Sequence, residues 1–223
     1  MDEIRIIEVK QSVFEDNDKD AELLRAELKE KKTVLINLMS SPGSGKTTLL
    51  LGLARRFKER LRLGVMEADI DSAVDAKTML SAGVDTIQIH TGGMCHLDAD
   101  MTRQGLLELG FEGYDLVVLE NVGNLVCPAE FDTGAHFNMT VLSVPEGDDK
   151  PLKYPLMYET CSVLVINKVD VLPYFDFDTE RVVANARLRN PEIKVFFVSA
   201  KTGQGLDELA EHLLERVNAH LTE

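Results

Sequence analysis

Tryptophan is absent from this chain, and cysteine is sparse, with only Cys95, Cys127 and Cys161 among 223 residues. An odd, thin set of thiols does not make a disulfide scaffold, so the sulfurs are left for metal ligation or burial. Basic residues are short as well: 24 Lys and Arg stand against 38 Asp and Glu, a formal net charge of −14. Neutralising a nucleic-acid backbone needs surplus cations, so generic nucleic-acid binding is excluded and any phosphate must be gripped locally. No run approaches the roughly 18 uninterrupted apolar residues of a membrane span, and the opening Met1-Asp2-Glu3-Ile4-Arg5 lacks the basic-then-apolar layout of a secretion signal. The expectation is a cytoplasmic protein with no membrane contact.

What is present is an ordinary globular composition, 44% hydrophobic and 28% charged, in a chain long enough for one domain with a small appendage. Residues 1–32 differ from the rest. They read as an amphipathic helical extension, with Leu23, Leu24 and Leu28 at helical spacing and Asp20 placed to cap, either lying on the domain or docking a partner. From residue 33 to 223 short β-branched runs alternate with helical patterns. Strands are expected at 34–39, 63–67, 86–89, 116–119, 141–144, 163–167 and 195–198, and helices at 47–62, 72–82, 99–109, 152–160, 178–188 and 206–221. Several strands are apolar on both faces, as helix-covered strands must be. The fold class is therefore α/β, a doubly wound, mainly parallel sheet of about seven strands with helices on both faces. In such sheets ligands sit beyond the carboxyl ends of strands, so the residues just after each strand carry the functional argument.

After the first strand comes Ser40-Ser41-Pro42-Gly43-Ser44-Gly45-Lys46-Thr47-Thr48, then the apolar helix start Leu49-Leu50-Leu51. This resembles a Walker A phosphate loop. Gly43 and Gly45 permit the backbone angles that turn amide N–H groups inward, the helix N-terminus adds positive potential, Lys46 reaches the β and γ phosphates, and the Thr47 hydroxyl can ligate Mg²⁺. The motif's usual first glycine is Ser40 here. Two later strand ends choose the base. Asn167-Lys168-Val169-Asp170 looks like the guanine-specificity element, in which Asp170 accepts from N1–H and the 2-amino group and Lys168 lies along the base. Ser199-Ala200-Lys201 is similar to the element whose backbone contacts the guanine carbonyl.

The hydrolytic end of the site is expected at Glu120-Asn121-Val122-Gly123, where Glu120 takes the acidic role and the Gly123 N–H senses the γ phosphate. A second carboxylate should complete the Mg²⁺ shell. Asp69 is the first candidate and Asp75 the second, while Asp71 reads as a helix cap. Asn124 stands where many small GTPases carry a longer glutamine, which predicts slow unassisted turnover.

A third constellation joins Cys95-His96, after the 86–89 strand, to Cys127-Pro128, soon after Glu120. Two thiols and an imidazole suit Zn²⁺ or Ni²⁺, and three ligands leave a vacancy for water or for a second subunit. Isolated cysteines are also ordinary buried hydrophobes, so the residues alone leave this open. Cys161 reads as packing, as do His90, His136, His212 and His220.

Taken together, Ser40 to Thr48, Thr91-Gly92-Gly93 with Cys95-His96-Leu97-Asp98-Ala99, the segment from Glu120 to Pro128, Glu146-Gly147-Asp148-Asp149-Lys150 and Asn167-Lys168-Val169-Asp170 resemble the hydrogenase nickel-incorporation GTPases, the HypB family, over about residues 33–215. The related urease accessory GTPases normally carry a Cys-Pro-His metal motif that is not found here. The resemblance implies a SIMIBI-like P-loop NTPase with GTP/GDP, Mg²⁺ and Ni²⁺ or Zn²⁺ as cofactors. It implies a homodimer promoted by GTP, a small zinc-containing maturation partner and the [NiFe]-hydrogenase large subunit as client. It places the metal ligands on Cys95, His96 and Cys127. Residues 1–32 hold no Cys or His, so the N-terminal metal motif of some members is not expected. The alternatives are a urease-type nickel accessory GTPase, a P-loop kinase and a passive metal-binding protein.

Overall fold

The computed structural model describes residues 9–69 and 74–222. In chain order the elements are α1 Val9–Lys31, β1 Val34–Ser40, α2 Lys46–Phe57, β2 Leu63–Asp69, α3 Val74–Ser81, β3 Asp85–His90, α4 Ala99–Leu109, β4 Leu116–Glu120, α5 Cys127–Glu130, β5 Phe137–Ser143, α6 Lys150–Lys153, α7 Pro155–Thr160, β6 Cys161–Asn167, α8 Thr179–Arg189, β7 Lys194–Phe197 and α9 Leu206–Thr222. All strand pairings are parallel, and the seven strands run in the order β3-β2-β4-β1-β5-β6-β7. From β1 the chain passes first to strands on one side and later to strands on the other, so the end of β1 is a switch point where a ligand crevice opens.

Every residue of β1 and of β4 is buried, because both faces are covered by helices. Val34, Ile36 and Leu38 face α2 and α9 through Leu50, Leu53, Phe57, Leu209, Leu213 and Val217. The alternate position Leu35 faces the opposite layer with Met66, Val117 and Leu119. On that same face β6 packs Leu164 and Ile166 against Met157, Tyr158 and Val182.

The N-terminal helix is longer than its charge pattern suggests. It starts by Val9, so Asp20 is an exposed residue inside it and caps nothing. Its packed stripe is Ala21, Leu24 and Leu28, while Leu23 is 61% exposed. Leu24 and Leu28 share a core with Leu97 and Leu106, and burying each contributes about 1.5–3 kcal/mol, which holds α1 on the domain.

Three boundaries differ from the sequence reading for physical reasons. The strand expected at 141–144 is β5, which begins earlier and ends at Ser143, because Pro145 has no N–H for a ladder. The single helix expected at 152–160 is split into α6 and α7 at Tyr154, ahead of Pro155, whose ring forbids a continuous helix. The helix expected at 47–62 stops at Phe57, and Glu59 takes a left-handed φ of 68°. The expected helix at 72–82 is seen as α3, while its first two residues lie outside the described residues.

Candidate functional site

The loop between β1 and α2 turns on two left-handed glycines, Gly43 at φ 74° and Gly45 at φ 97°. Gly45 is the N-cap of α2 and offers no side-chain cap, so the first N–H groups of the helix, from Lys46 to Thr48, are left for an anion. A Cβ on Gly45 would meet Asn167 Nδ2 at 2.6 Å, so close packing as well as φ demands glycine. Ser40, fully buried, organises the loop from within. Its hydroxyl donates to the Ser41 carbonyl at 2.7 Å and accepts from Ser44 Oγ at 2.7 Å and from Lys46 Nζ at 2.9 Å. Glu146, in the turn after β5, accepts from Ser41 Oγ and from the Ser143 N–H and hydroxyl, each of the last two at 2.7 Å. The sequence reading gave Glu146 no role.

The two base-selecting segments come to the same edge. Asn167 Nδ2 donates to the Ser44 carbonyl at 2.9 Å, and its Oδ1 accepts from the Ala200 N–H at 3.0 Å, so one side chain joins the phosphate loop to the loop after β7. Lys168 sits at a left-handed φ of 63° and its ammonium donates to the Gly43 carbonyl at 2.6 Å. Asp170 Oδ1 accepts from Ser199 Oγ at 2.6 Å. Lys201, beside them, is exposed. Asn167, Lys168, Asp170, Ser199 and Ala200 therefore form a continuous wall against Gly43, Ser44 and Gly45.

At the other end of the loop, Thr47 Oγ1 donates to Glu120 Oε1 at 3.4 Å. A Cβ added to Gly123 would meet Pro42 at 3.1–3.2 Å, which puts the segment Glu120 to Gly123 directly against the phosphate loop. Asn121 is locked inward: its Nδ2 donates to Asn37 Oδ1 at 3.0 Å, and Asn37 Nδ2 donates to Asn138 Oδ1 at 3.1 Å. Glu67 stands in register with Glu120 on the neighbouring strand, and both are only 3% exposed. With the Thr47 hydroxyl these two carboxylates make an oxygen donor set of the kind Mg²⁺ accepts. The only hint of Glu67 in the sequence is a charged residue within an apolar strand. Asp71 and the side chains of Asp69 and Asp75 lie outside the described residues.

Cys95 and Cys127 are brought together from separate loops. Both are half-buried, and the hydrogen bond with the Cys127 thiol, reinforced by burial, pushes the Cys95 thiol above its usual range. His96 Nδ1 lies 3.9 Å from Cys95 Sγ, and the imidazole is stacked on Phe131, ring centroids 3.8 Å apart and planes 10° apart. Burial lowers the pKa of His96 despite Asp98 and Glu130, which favours the neutral form a metal needs. The two adjoining sulfurs and the imidazole suit a soft or borderline ion, although among the described residues no three His, Cys, Asp or Glu side chains converge on one point. Asn124 spans the cysteine loops: Nδ2 donates to the Cys95 carbonyl at 3.4 Å and Oδ1 accepts from the Val126 N–H at 2.9 Å. Cys161 is fully buried, and desolvation drives its thiol pKa far up, as fits packing. Among the described residues no helix is long and apolar enough to cross a membrane.

Known proteins resemble this chain along most of its length. The family described as CobW/HypB/UreG, nucleotide-binding domain, matches residues 33–197. The hydrogenase maturation factor HypB of Escherichia coli K12 is 45% identical over 208 residues, covering 93% of this chain and 72% of that protein. A crystal structure of HypB from Helicobacter pylori in complex with nickel superposes with a TM-score of 0.87 at 38% identity, over 92% of this chain and 97% of the other. HypB from Archaeoglobus fulgidus gives a TM-score of 0.84 at 37% identity, over 91% and 98%. With its phosphate loop, its seven-stranded parallel sheet and this likeness along most of its length, the chain belongs to the CobW/HypB/UreG nucleotide-binding family, among the HypB hydrogenase maturation factors.

Proposed function

We propose that this protein is a cytoplasmic GTPase metallochaperone that assists nickel insertion into [NiFe]-hydrogenase, with GTP-promoted dimerisation coupled to metal binding at Cys95, His96 and Cys127. The observation that carries the coupling is Asn124. It follows Gly123, which packs on Pro42 of the phosphate loop, and its amide bonds the Cys95 carbonyl and the Val126 N–H next to Cys127. A shift of Gly123 toward a γ phosphate is thereby passed to both thiol-bearing loops.

In this reading the amides of Gly43 to Thr48 and the Lys46 ammonium hold the phosphates, and Asp170 with the backbone of the Ser199-Ala200-Lys201 element selects guanine. Thr47, Glu120 and a further carboxylate, Asp69, Asp75 or Glu67, hold Mg²⁺, which when bound neutralises charge on the β and γ phosphates. Turnover is slow, because Asn124 is engaged in bridging the cysteine loops. Two thiolates and an imidazole leave a coordination place that a second copy of the chain can fill in the dimer, where a client large subunit and a small zinc-containing partner would meet the metal. The nickel named in the Helicobacter pylori complex supports this choice of metal.

The test is size-exclusion chromatography with metal analysis in GDP and in a non-hydrolysable GTP analogue. A dimer in the analogue, a smaller species in GDP and different nickel affinities in the two states are expected. Cys127→Ala should lose metal and keep nucleotide, and Lys46→Ala should do the reverse. Equal nickel affinity in both nucleotide states would refute the coupling.

A further inference from the structure

The metal-bearing loops are tied to a helix that contains none of the proposed ligands. Asn17, in the first half of α1, is only 8% exposed, and its side chain makes two hydrogen bonds to two different segments. Its Oδ1 accepts from the Ala99 N–H at 2.9 Å, and its Nδ2 donates to the Asp132 carbonyl at 3.0 Å. Ala99 opens α4 and lies four residues after Cys95. Asp132 lies five residues after Cys127. The first N–H groups of a helix have no partner within it, so Asn17 satisfies a donor the fold would otherwise leave buried and unmet.

Neighbouring contacts repeat the pattern. Phe14 of α1 packs on Phe131 with ring centroids 4.8 Å apart, and Phe131 also stacks with His96 at 3.8 Å. Arg25 grips the Asp132 carboxylate with both nitrogens, at 2.8 and 2.9 Å. Asp132 in turn accepts from the Gly134 N–H at 2.9 Å, and a Cβ on Gly134 would strike Leu24 of α1 at 2.7 Å. Thus α1 touches the Cys127 segment through Phe131, Asp132 and Gly134, and the Cys95-His96 segment through Ala99.

We propose that Asn17 and Phe131 are positioning residues for the metal site, and that α1 is the strap setting how closely the Cys95-His96 loop approaches Cys127. This rests on the metal reading given above. Phe131 fixes the plane of the His96 ring, and Asn17 fixes the distance between the two loop ends. Neither ligates the metal. Removing either leaves all three ligands present but costs the pre-ordering that keeps their two loops beside each other, and loss of such supporting contacts typically weakens metal affinity by about 10- to 100-fold. The guanine wall and the phosphate loop have no contact with Asn17 or Phe131 among the hydrogen bonds and ring contacts described, so nucleotide affinity is expected to stay put.

The experiment uses the full chain and nickel ion as the probe. Nickel affinity is titrated through the near-ultraviolet thiolate-to-nickel absorption band for wild type, Asn17→Ala, Phe131→Leu, Phe131→Tyr and Cys127→Ala, with affinity for a fluorescent GDP measured on each sample. Asn17→Ala and Phe131→Leu should bind nickel at least about 10-fold more weakly and with an altered band, with GDP affinity within about twofold of wild type. Phe131→Tyr, which keeps the stack, should restore both band and affinity. GDP binding reports folding independently, and should Asn17→Ala lose it, Phe131→Leu with its tyrosine rescue still decides. Wild-type nickel affinity and band in Phe131→Leu, alongside loss in Cys127→Ala, would overturn the strap while sparing the metal site. Undiminished nickel binding in Cys127→Ala would remove the site itself, and the strap with it.

Discussion

The Lys46 ammonium donates to the Ser40 hydroxyl at 2.9 Å, and Ser40 is the residue that stands in place of the motif's usual first glycine. The departure from the common pattern therefore has a structural use: it gives the lysine an acceptor within its own loop. A phosphate must compete with that acceptor. Ser40→Ala should raise guanine nucleotide affinity by about 5-fold, the equivalent of about 1 kcal/mol for one net hydrogen bond. The same change strips Ser44 Oγ of its acceptor, so the nucleotide-free protein should melt a few degrees lower. Fluorescent-nucleotide titration and thermal melting measure the two effects, and an unchanged or weaker affinity would contradict the first.

Asp170 holds the Ser199 hydroxyl at 2.6 Å, which orients one carboxylate oxygen and leaves the other for a base. Asp170→Asn replaces a charged acceptor with an amide that donates on one side. Losing a hydrogen bond to a charged group costs about 1.5–3 kcal/mol, so GDP affinity should fall at least about 10-fold. The amide can now donate to a carbonyl at the base's 2-position, so xanthosine diphosphate should gain affinity. Competition between the two nucleotides reads out the switch. Equal losses for both would mean that Asp170 only braces Ser199.

Much of this site was legible because its parts follow strand ends. The glycines at 43 and 45, Asn167, Asp170 and Ser199 all announce themselves in short motifs, and the parallel sheet brings those motifs to one edge. The buried strands β1 and β4 were equally plain, since both of their faces are apolar. What sequence could not give is contact between side chains distant along the chain. Glu67 sits beside Glu120 through strand order, and Asn17 meets Asp132 across a separation of 115 residues, which no local pattern encodes. Asp20 misled because a charged residue before leucines is a cap signal, whereas the helix runs on past it toward Val9.

His212 of α9 packs its ring on Phe196 at 5.1 Å, and its Nε2 is buried without a hydrogen-bond partner. Burial lowers its pKa below the ordinary 6.5, with Arg216 and Lys194 adding to the shift and Glu215 opposing it. The folded state thus resists a proton that the unfolded chain takes up. Stability from this group is intact above pH 6.5 and is lost progressively as the pH falls below it. His96, also lowered by burial, acts in the same direction. Urea midpoints should drop between pH 7.5 and 5.5, and His212→Leu should flatten that drop without abolishing it. A slope identical to wild type would exclude His212 as a source.

Asn124 offers the most direct test of communication between the two sites. Its amide bonds the Cys95 carbonyl and the Val126 N–H, and it follows the glycine that packs on Pro42. If nucleotide state reaches the thiols by this route, Asn124→Ala should leave GTP-analogue binding and nickel binding each measurable while driving the ratio of nickel affinities in the GTP-analogue and GDP states toward one. Linkage imposes a check: the ratio by which nickel changes nucleotide affinity must shrink by the same factor, because both ratios express one coupling free energy. A typical coupling of 1–3 kcal/mol corresponds to about 5- to 150-fold, so its loss is well within reach of titration. Asn124→Gln, which keeps the amide on a longer arm, should recover the coupling only in part, because the added methylene displaces both bonds. Full wild-type coupling in Asn124→Ala would move the connection elsewhere, to the backbone between Gly123 and Cys127 itself.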